Sequence, residues 1–320
     1  MKYKICHKKS VSLCVKQDPS MDTKRKILVI INPISGTNGK SDIPAMVHQA
    51  LDTDQWDVDL TYTQYPGHAT EIACAAIKDN IDAVAAIGGD GTINEIATAL
   101  AGSNVALGIV PLGSGNGFAR HLHLPMGTAA ALSVINQGHS EMVDYCTVNG
   151  KPFFCTCGAG FDAQVSQTFS EAGSRGMITY LKAMINEYFR YHGEHFSIII
   201  DNNLIEEKAF VVACCNAAQY GNNAFIAPHA SMQDGMIDVT VIHNFNIING
   251  ALLGARMLTR QLEHDKHVSI YRGKNITIKR SKPDIIHIDG DPVMMEKDLT
   301  ISCVSKGLKV IIAPNSTPKL

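Results

Sequence analysis

Two hydrophobic rhythms divide the chain. As far as about residue 140, short apolar runs alternate with stretches of helical period. Ile27–Ile31 is a five-residue apolar run stopped by Asn32-Pro33, and Ala83–Ile87 and Val105–Val110 are runs of the same kind. Short runs bounded by turn residues predict strands buried on both faces. Trp56–Tyr62 alternates and predicts another strand, while residues 43–51, 68–78 and 93–101 carry helical spacing. Strands alternating with helices predict parallel βαβ units.

After about residue 142 the runs become closely spaced and strand-like: Phe153–Cys157, Phe196–Ile200, Ala209–Cys214, Ile237–Ile242, Ile276–Ile278, Ile285–Ile288 and Leu299–Ser302. Asn149-Gly150, Asp201-Asn202-Asn203, Asp234-Gly235 and Asp289-Gly290 punctuate them as turn signals. An antiparallel β domain is expected, interrupted by helices near 175–192 and 246–262. The helical face Ile248, Ala251, Leu252, Ala255, Leu258 and Leu262 reads as core. Leu253 and Met257 fall off that face and leave apolar surface for a lipid.

Composition narrows the function classes. Hydrophobic residues are 45% and charged residues 18% of 320, enough apolar material for two cores. No apolar run approaches the roughly 18 residues of a membrane span, so any lipid contact is expected to be peripheral. Net charge is -2, and residues 1–20 hold five basic residues against one acid. Global charge gives no reason to expect nucleic acid. Residues 1–21 read as a tail, or as sequence ahead of a start at Met21. The nine cysteines show no CxxC pair; Cys155, Cys157, Cys214 and Cys215 fall in strand-like runs and are expected as buried reduced thiols, which points to the cytoplasm. The basic cluster Arg272, Lys274, Lys279, Arg280 and Lys282 contains no acid and is expected to face an anionic membrane.

Three loops carry candidate chemistry, each following a buried strand and preceding a helix, the edge where parallel sheets bind ligands. The first is Asn32-Pro33-Ile34-Ser35-Gly36, running on to Gly39-Lys40-Ser41; its glycine spacing is too short for a P-loop. The second is Gly88-Gly89-Asp90-Gly91-Thr92-Ile93-Asn94-Glu95. Its glycines allow close approach to phosphate, and Thr92 with Glu95 predicts a capping box. Asp90 has no structural explanation at this level; a carboxylate there would repel phosphate unless it binds magnesium or accepts a proton. The third is Pro111-Leu112-Gly113-Ser114-Gly115-Asn116-Gly117-Phe118-Ala119-Arg120, in which Arg120 could reach a phosphate.

In order and spacing these loops resemble the catalytic domain of the diacylglycerol, sphingosine and ceramide kinase superfamily. Thr63 with Gly67-His68-Ala69-Thr70, Gly160-Phe161-Asp162-Ala163, Asp234-Gly235 and Asp289-Gly290-Asp291 match further family segments, and the resemblance spans about residues 24–313. It implies an α/β fold: an N-terminal three-layer Rossmann-like nucleotide domain over 22–142, rejoined by about 305–318, plus a C-terminal antiparallel β-sandwich-like domain over 143–304. It implies ATP held by Asn32, Pro33, Ile34, Ser35, Gly36, Thr63, Gly89, Asp90, Gly91, Thr92, Ile93, Asn94, Glu95 and Ser114. It also implies a structural Mg2+ at Asp234 with the carbonyls of Ser231 and Met236, and lipid contact at Asp162. Asp291 stands where the family usually has glutamate as the proton acceptor, so Asp291 and Asp90 both remain candidates for the base. Arg175 could approach the phosphates. The expected activity is ATP- and Mg-dependent phosphorylation of a hydroxyl of diacylglycerol or a sphingoid-type lipid at a membrane surface. The alternatives are a soluble-substrate kinase akin to NAD kinase and a non-catalytic regulator. Lipid identity and a homodimer stay open.

Overall fold

The computed structural model describes residues 24–35, 42–172 and 177–314. Gly36, the Gly39-Lys40-Ser41 segment, Arg175 and the first 21 residues lie outside the described residues.

The first half runs β1 (Arg25–Ile31), α1 (Ile43–Ala50), β2 (Trp56–Tyr62), α2 (His68–Lys78), β3 (Ala83–Gly88), α3 (Asp90–Leu100), β4 (Ala106–Pro111), α4 (Gly117–His121) and α5 (Thr128–Gln137). β1 pairs in parallel with β2 and β3, and β3 pairs in parallel with β4. Every residue of β3 and β4 is buried, which is why those strands read as unbroken apolar runs. Helices α2 and α3 pack together, as do α1 and α5. Ile27, Ile87, Ile93, Ile96 and Leu107 anchor the shared core, each worth about 1.5–3 kcal/mol relative to exposure.

The second half runs β5 (Ser140–Val148), β6 (Lys151–Phe153), β7 (Thr156–Gly160), α6 (Phe161–Glu171), α7 (Met177–Tyr188), β8 (Glu194–Ile200), β9 (Asn203–Cys215), β10 (Ile237–His243), α8 (Ile247–Leu258), β11 (Val268–Gly273), β12 (Asn275–Lys279), β13 (Asp284–Ile288), β14 (Asp291–Met295) and β15 (Asp298–Ile311). Its pairings are antiparallel, with β9 joined to β7, β8 and β10. A second apolar core, including Phe153, Phe196, Ile198, Val239 and Ile276, fills this sandwich-like domain. Asn149-Gly150 and Asp289-Gly290 close their hairpins with both residues at positive φ, the geometry that asparagine or aspartate followed by glycine supports.

The final strand joins the two halves. β15 pairs with β12 and along most of β5, then meets β4 in parallel through Val310 and Leu107.

Two sequence expectations change. Phe153–Cys157 is broken between β6 and β7, because the N–H groups of Phe154, Cys155 and Thr156 all turn to the Asp289 carboxylate. Helix α8 is rotated relative to its expected orientation. Leu253 is its buried residue and Met257 packs on the core, while Ile248 is 77% and Leu258 62% exposed.

Candidate active site

The three loops converge at the carboxyl ends of β1, β3 and β4. Asn32 leaves β1 and donates from Nδ2 to Thr92 Oγ1 at 2.8 Å, while its Oδ1 accepts from Ile34 N at 3.0 Å. Ser35 Oγ accepts from Gly89 N at 3.3 Å. Thr63 follows β2 and donates its N–H to Ile31 O at 3.0 Å, which places it beside the first loop. Ile34 projects into solvent, 84% exposed.

No capping box forms in the second loop. Gly89 is the N-cap of α3, so Thr92 lies inside the first turn, buried against Gly88. The Glu95 carboxylate reaches away to the start of α2, accepting from Gly67 N at 2.9 Å and Ala69 N at 3.2 Å. Gly67 sits at φ +88°, a conformation side chains disfavour. Ile93 is core, and its N–H returns to Gly89 O at 3.1 Å. The amides at the start of α3 form a positive edge that suits an anion.

The structure explains Asp90. Its two carboxylate oxygens each accept a backbone N–H from the third loop, Asn116 N on Oδ2 and Gly117 N on Oδ1, both at 2.8 Å. Asn116 takes a left-handed conformation and bonds across the loop to Gly113 N and O. A Cβ on Gly113 would stand 2.9 Å from the Gly89 Cα, so only glycine permits this approach. Arg120, a candidate phosphate contact, donates from Nε to Gly115 O at 3.0 Å. Ser114 stays exposed at the tip.

The second domain closes over this edge. Asn222 N donates to Gly115 O at 3.2 Å. Asp289 is half-buried at the β13–β14 turn and accepts three backbone N–H groups at 2.7–2.8 Å. The side chain of Asn94, one helical turn after Asp90 on α3, draws the Asp289 carboxyl down. Burial pushes the Asp289 carboxyl up, against the opposing pull of these donors. Asp291 opens β14, exposed, two residues beyond.

The comparisons bear on this cleft. A profile of the diacylglycerol kinase catalytic domain matches residues 26–148. A second, of the YegS C-terminal NAD kinase beta sandwich-like domain, matches residues 155–312. The chain belongs to the diacylglycerol kinase-like family of lipid kinases. A diacylglycerol kinase of Staphylococcus saprophyticus is 27% identical over 285 residues, covering 84% of this chain and 89% of that one. One from Staphylococcus aureus is 28% identical, covering 84% and 86%. The crystal structure of a diacylglycerol kinase from Bacillus anthracis shares the fold at TM-score 0.73 and 21% identity, covering 92% of this chain and 98% of that one. An NAD kinase from Archaeoglobus fulgidus in complex with ATP shares it more distantly, at TM-score 0.53 and 11% identity.

In this kinase Asp162 begins α6 and is buried. Its Oδ1 accepts from Ala163 N at 2.9 Å; its Oδ2 accepts from the Tyr220 hydroxyl at 2.9 Å and faces His287 Nε2 at 3.0 Å. His287 Nδ1 in turn accepts from Gly290 N at 3.4 Å, so Nε2 carries the proton donated to Asp162. A Cβ on Gly158 would overlap both side chains. Sequence reasoning missed His287 and Tyr220, since neither lies in a motif and only folding brings them to Asp162.

The Asp234 turn does not fit the expected magnesium ion. Asp234 Oδ1 accepts from Met236 N at 3.0 Å, and Oδ2 is bound by Arg272 Nη2. Ser231 flanks the turn and its Oγ accepts from Gln233 N. Among the described residues no cluster of three or more His, Cys, Asp or Glu side chains could hold a metal. Burial pushes the neighbouring Asp238 carboxyl up to about 6, with Arg272 pulling the other way.

Folding draws one member of the basic cluster inward and pairs two others. Arg272 is paired with Asp234, Lys282 lies 3.6 Å from Asp284, and Arg280 is buried, donating to the carbonyls of Asp284, Ile285, Met295 and Glu296. Arg272, Lys274, Lys279 and Lys282 remain exposed. Among the described residues, no helix is long and apolar enough to cross a membrane.

Proposed function

We propose that this kinase transfers the terminal phosphoryl group of ATP, presented as its magnesium complex, to a hydroxyl of diacylglycerol at a membrane surface. The observation that carries the reading is the tie from Asp289 to the third loop: Asp289 accepts from Phe154 N at 2.7 Å, and the Phe154 ring stacks on Phe118 at 5.7 Å. It holds the turn bearing Asp291 beside the loop that Asp90 grips through Asn116 N and Gly117 N, so both aspartates border one cleft.

In that cleft the first-turn amides of α3, with Asn32, Ser35, Thr63, Gly89, Gly91 and Ser114, receive the nucleotide. Magnesium arriving with ATP neutralises the charge on the transferred group. Asp291 takes the lipid hydroxyl proton, because it is exposed at the start of β14, where the resemblance places the family's proton acceptor. Asp90 positions the third loop. Most of the acceleration then comes from alignment and electrostatics.

Diacylglycerol is favoured over a sphingoid base by the state of Asp162. A sphingoid amine is a cation and calls for an available carboxylate; Asp162 already serves His287, Tyr220 and Ala163. The apolar face of α8 offers the lipid side. Ile247, Ile248, Leu252 and Leu258 are exposed there. Tyr188 donates to Phe245 O at 3.0 Å, tying α8 to the end of α7, where Phe189 is exposed as well.

The test is a labelled-ATP assay in mixed micelles against diacylglycerol, sphingosine, dihydrosphingosine, ceramide, phosphatidylglycerol and soluble NAD. Phosphorylation of diacylglycerol well above the others is expected. Preferential phosphorylation of NAD or of a sphingoid base would overturn the assignment.

A further inference from the structure

The Asp234 turn already contains a cation. The segment from Ser231 to Met236 leads into β10, and Asp144 of β5 holds its backbone. Gly235 N donates to Asp144 Oδ2 and Lys306 N to Oδ1, each at 2.7 Å, while Asp144 N donates to Met232 O at 2.6 Å. Asp238 lies four residues beyond Asp234, and in the β10–β11 ladder its direct partner is Arg272. Arg272 therefore reaches both carboxylates: Nη2 binds Asp234 Oδ2, and Nε stands 3.7 Å from Asp238 Oδ2. That Asp238 oxygen is buried and makes no hydrogen bond, so the guanidinium is the charge that compensates it.

A hard divalent ion would need about six oxygen ligands at roughly 2.0–2.6 Å. The Asp234 oxygen it would take is bound to Arg272, and the other accepts from Met236 N. Strand register decides the matter: whenever β10 and β11 pair, Arg272 is delivered opposite Asp238.

We propose that Arg272 is the resident cation of the Asp234 turn, standing where the family resemblance places a structural magnesium ion, so that this domain folds without a divalent metal. The inference is independent of the lipid substrate. It assigns the Arg272 guanidinium to the two carboxylates of β10 and its leading turn, with the rest of the side chain exposed.

Thermal unfolding of the full chain without nucleotide tests it, in EDTA and in millimolar magnesium or calcium chloride. The wild-type Tm is expected to be the same in all three. Arg272→Gln leaves two neighbouring carboxylates uncompensated and is expected to lower Tm by several degrees. Arg272→Gln/Asp238→Asn is expected to recover part of that loss. Should Arg272→Gln not fold, Arg272→Lys keeps the charge but not the fork and is expected to fall between the wild type and unfolded behaviour. A wild-type Tm that drops in EDTA and is restored by the metal would overturn the proposal. So would an Arg272→Gln variant as stable as the wild type, or a double variant no more stable than the single one.

Discussion

His287 Nε2 lies 3.0 Å from Asp162 Oδ2, both side chains buried, and the same imidazole accepts from the backbone of Gly290. The pair thus links the start of α6 to the turn that presents Asp291. Removing the imidazole leaves Asp162 short of a donor in a dry site, a cost of about 1–3 kcal/mol. His287→Ala is expected to show that loss in urea unfolding, with kcat reduced more than the KM for ATP, since the nucleotide edge is untouched. Asp162→Asn keeps an acceptor for Tyr220 and is expected to retain more activity than Asp162→Ala.

Asp291 and Asp90 are separable by kinetics. Asp291→Asn is expected to lower kcat by about 10²–10⁴-fold, the range for loss of a general base, with the KM for ATP little changed. Asp291→Glu, restoring the longer family side chain, is expected to keep activity. Asp90→Asn turns an amide NH₂ towards a backbone N–H and frees the loop around Asn116 and Gly117. A misplacement of that kind is expected to cost about 10²-fold in kcat/KM and to raise the KM for ATP. Steady-state kinetics over ATP concentration distinguish the two patterns.

His121 supplies a pH signature. Burial, helped by the nearby positive charge of His123 and Arg260, lowers its pKa from 6.5 to about 4. Its neutral Nδ1 accepts from Ala218 N at 3.1 Å, a tie between the two domains. Between those pH values the unfolded chain binds a proton that the folded chain does not. Stability is therefore fully present above pH 6.5 and is lost as pH falls towards 4, by about 3 kcal/mol in all. Urea unfolding from pH 7.5 down to 4.5 is expected to show this slope reduced in His121→Gln.

The outward face of α8 predicts a separation of binding from folding. Replacing Ile248, Leu252 and Leu258 together with serine removes exposed apolar surface and should change stability by no more than about 0.5 kcal/mol per site. Sedimentation with liposomes is expected to fall sharply, while activity towards a short-chain, water-soluble diacylglycerol persists. Unchanged liposome binding would remove α8 from the membrane contact.

Much of the fold was legible because periodicity reports burial directly. The runs at Ile27, Ala83 and Val105 became strands buried on both faces, and Asp289-Gly290 became the hairpin its backbone preferences favour. Amphipathicity was less informative where two faces of a helix are both apolar. In α8 the spacing was read correctly, but the choice of buried face depended on where Phe245 and Leu262 pack. The run of basic residues was legible only as charge for a related reason: sequence does not show which carboxylates or carbonyls folding will bring to Arg272 and Arg280.

By itself the sequence determined the two-part architecture, the three loops at the strand ends and the family to which they belong, since these depend on local period, turn chemistry and motif order. Only the tertiary structure decided what the charged residues do. Asp90 proved to hold a loop, Glu95 a neighbouring helix, Asp162 an imidazole and Asp234 a guanidinium. Each of those roles is set by a partner 26 to 125 residues away, and a hydrogen bond exists only where folding brings donor and acceptor within about 3 Å.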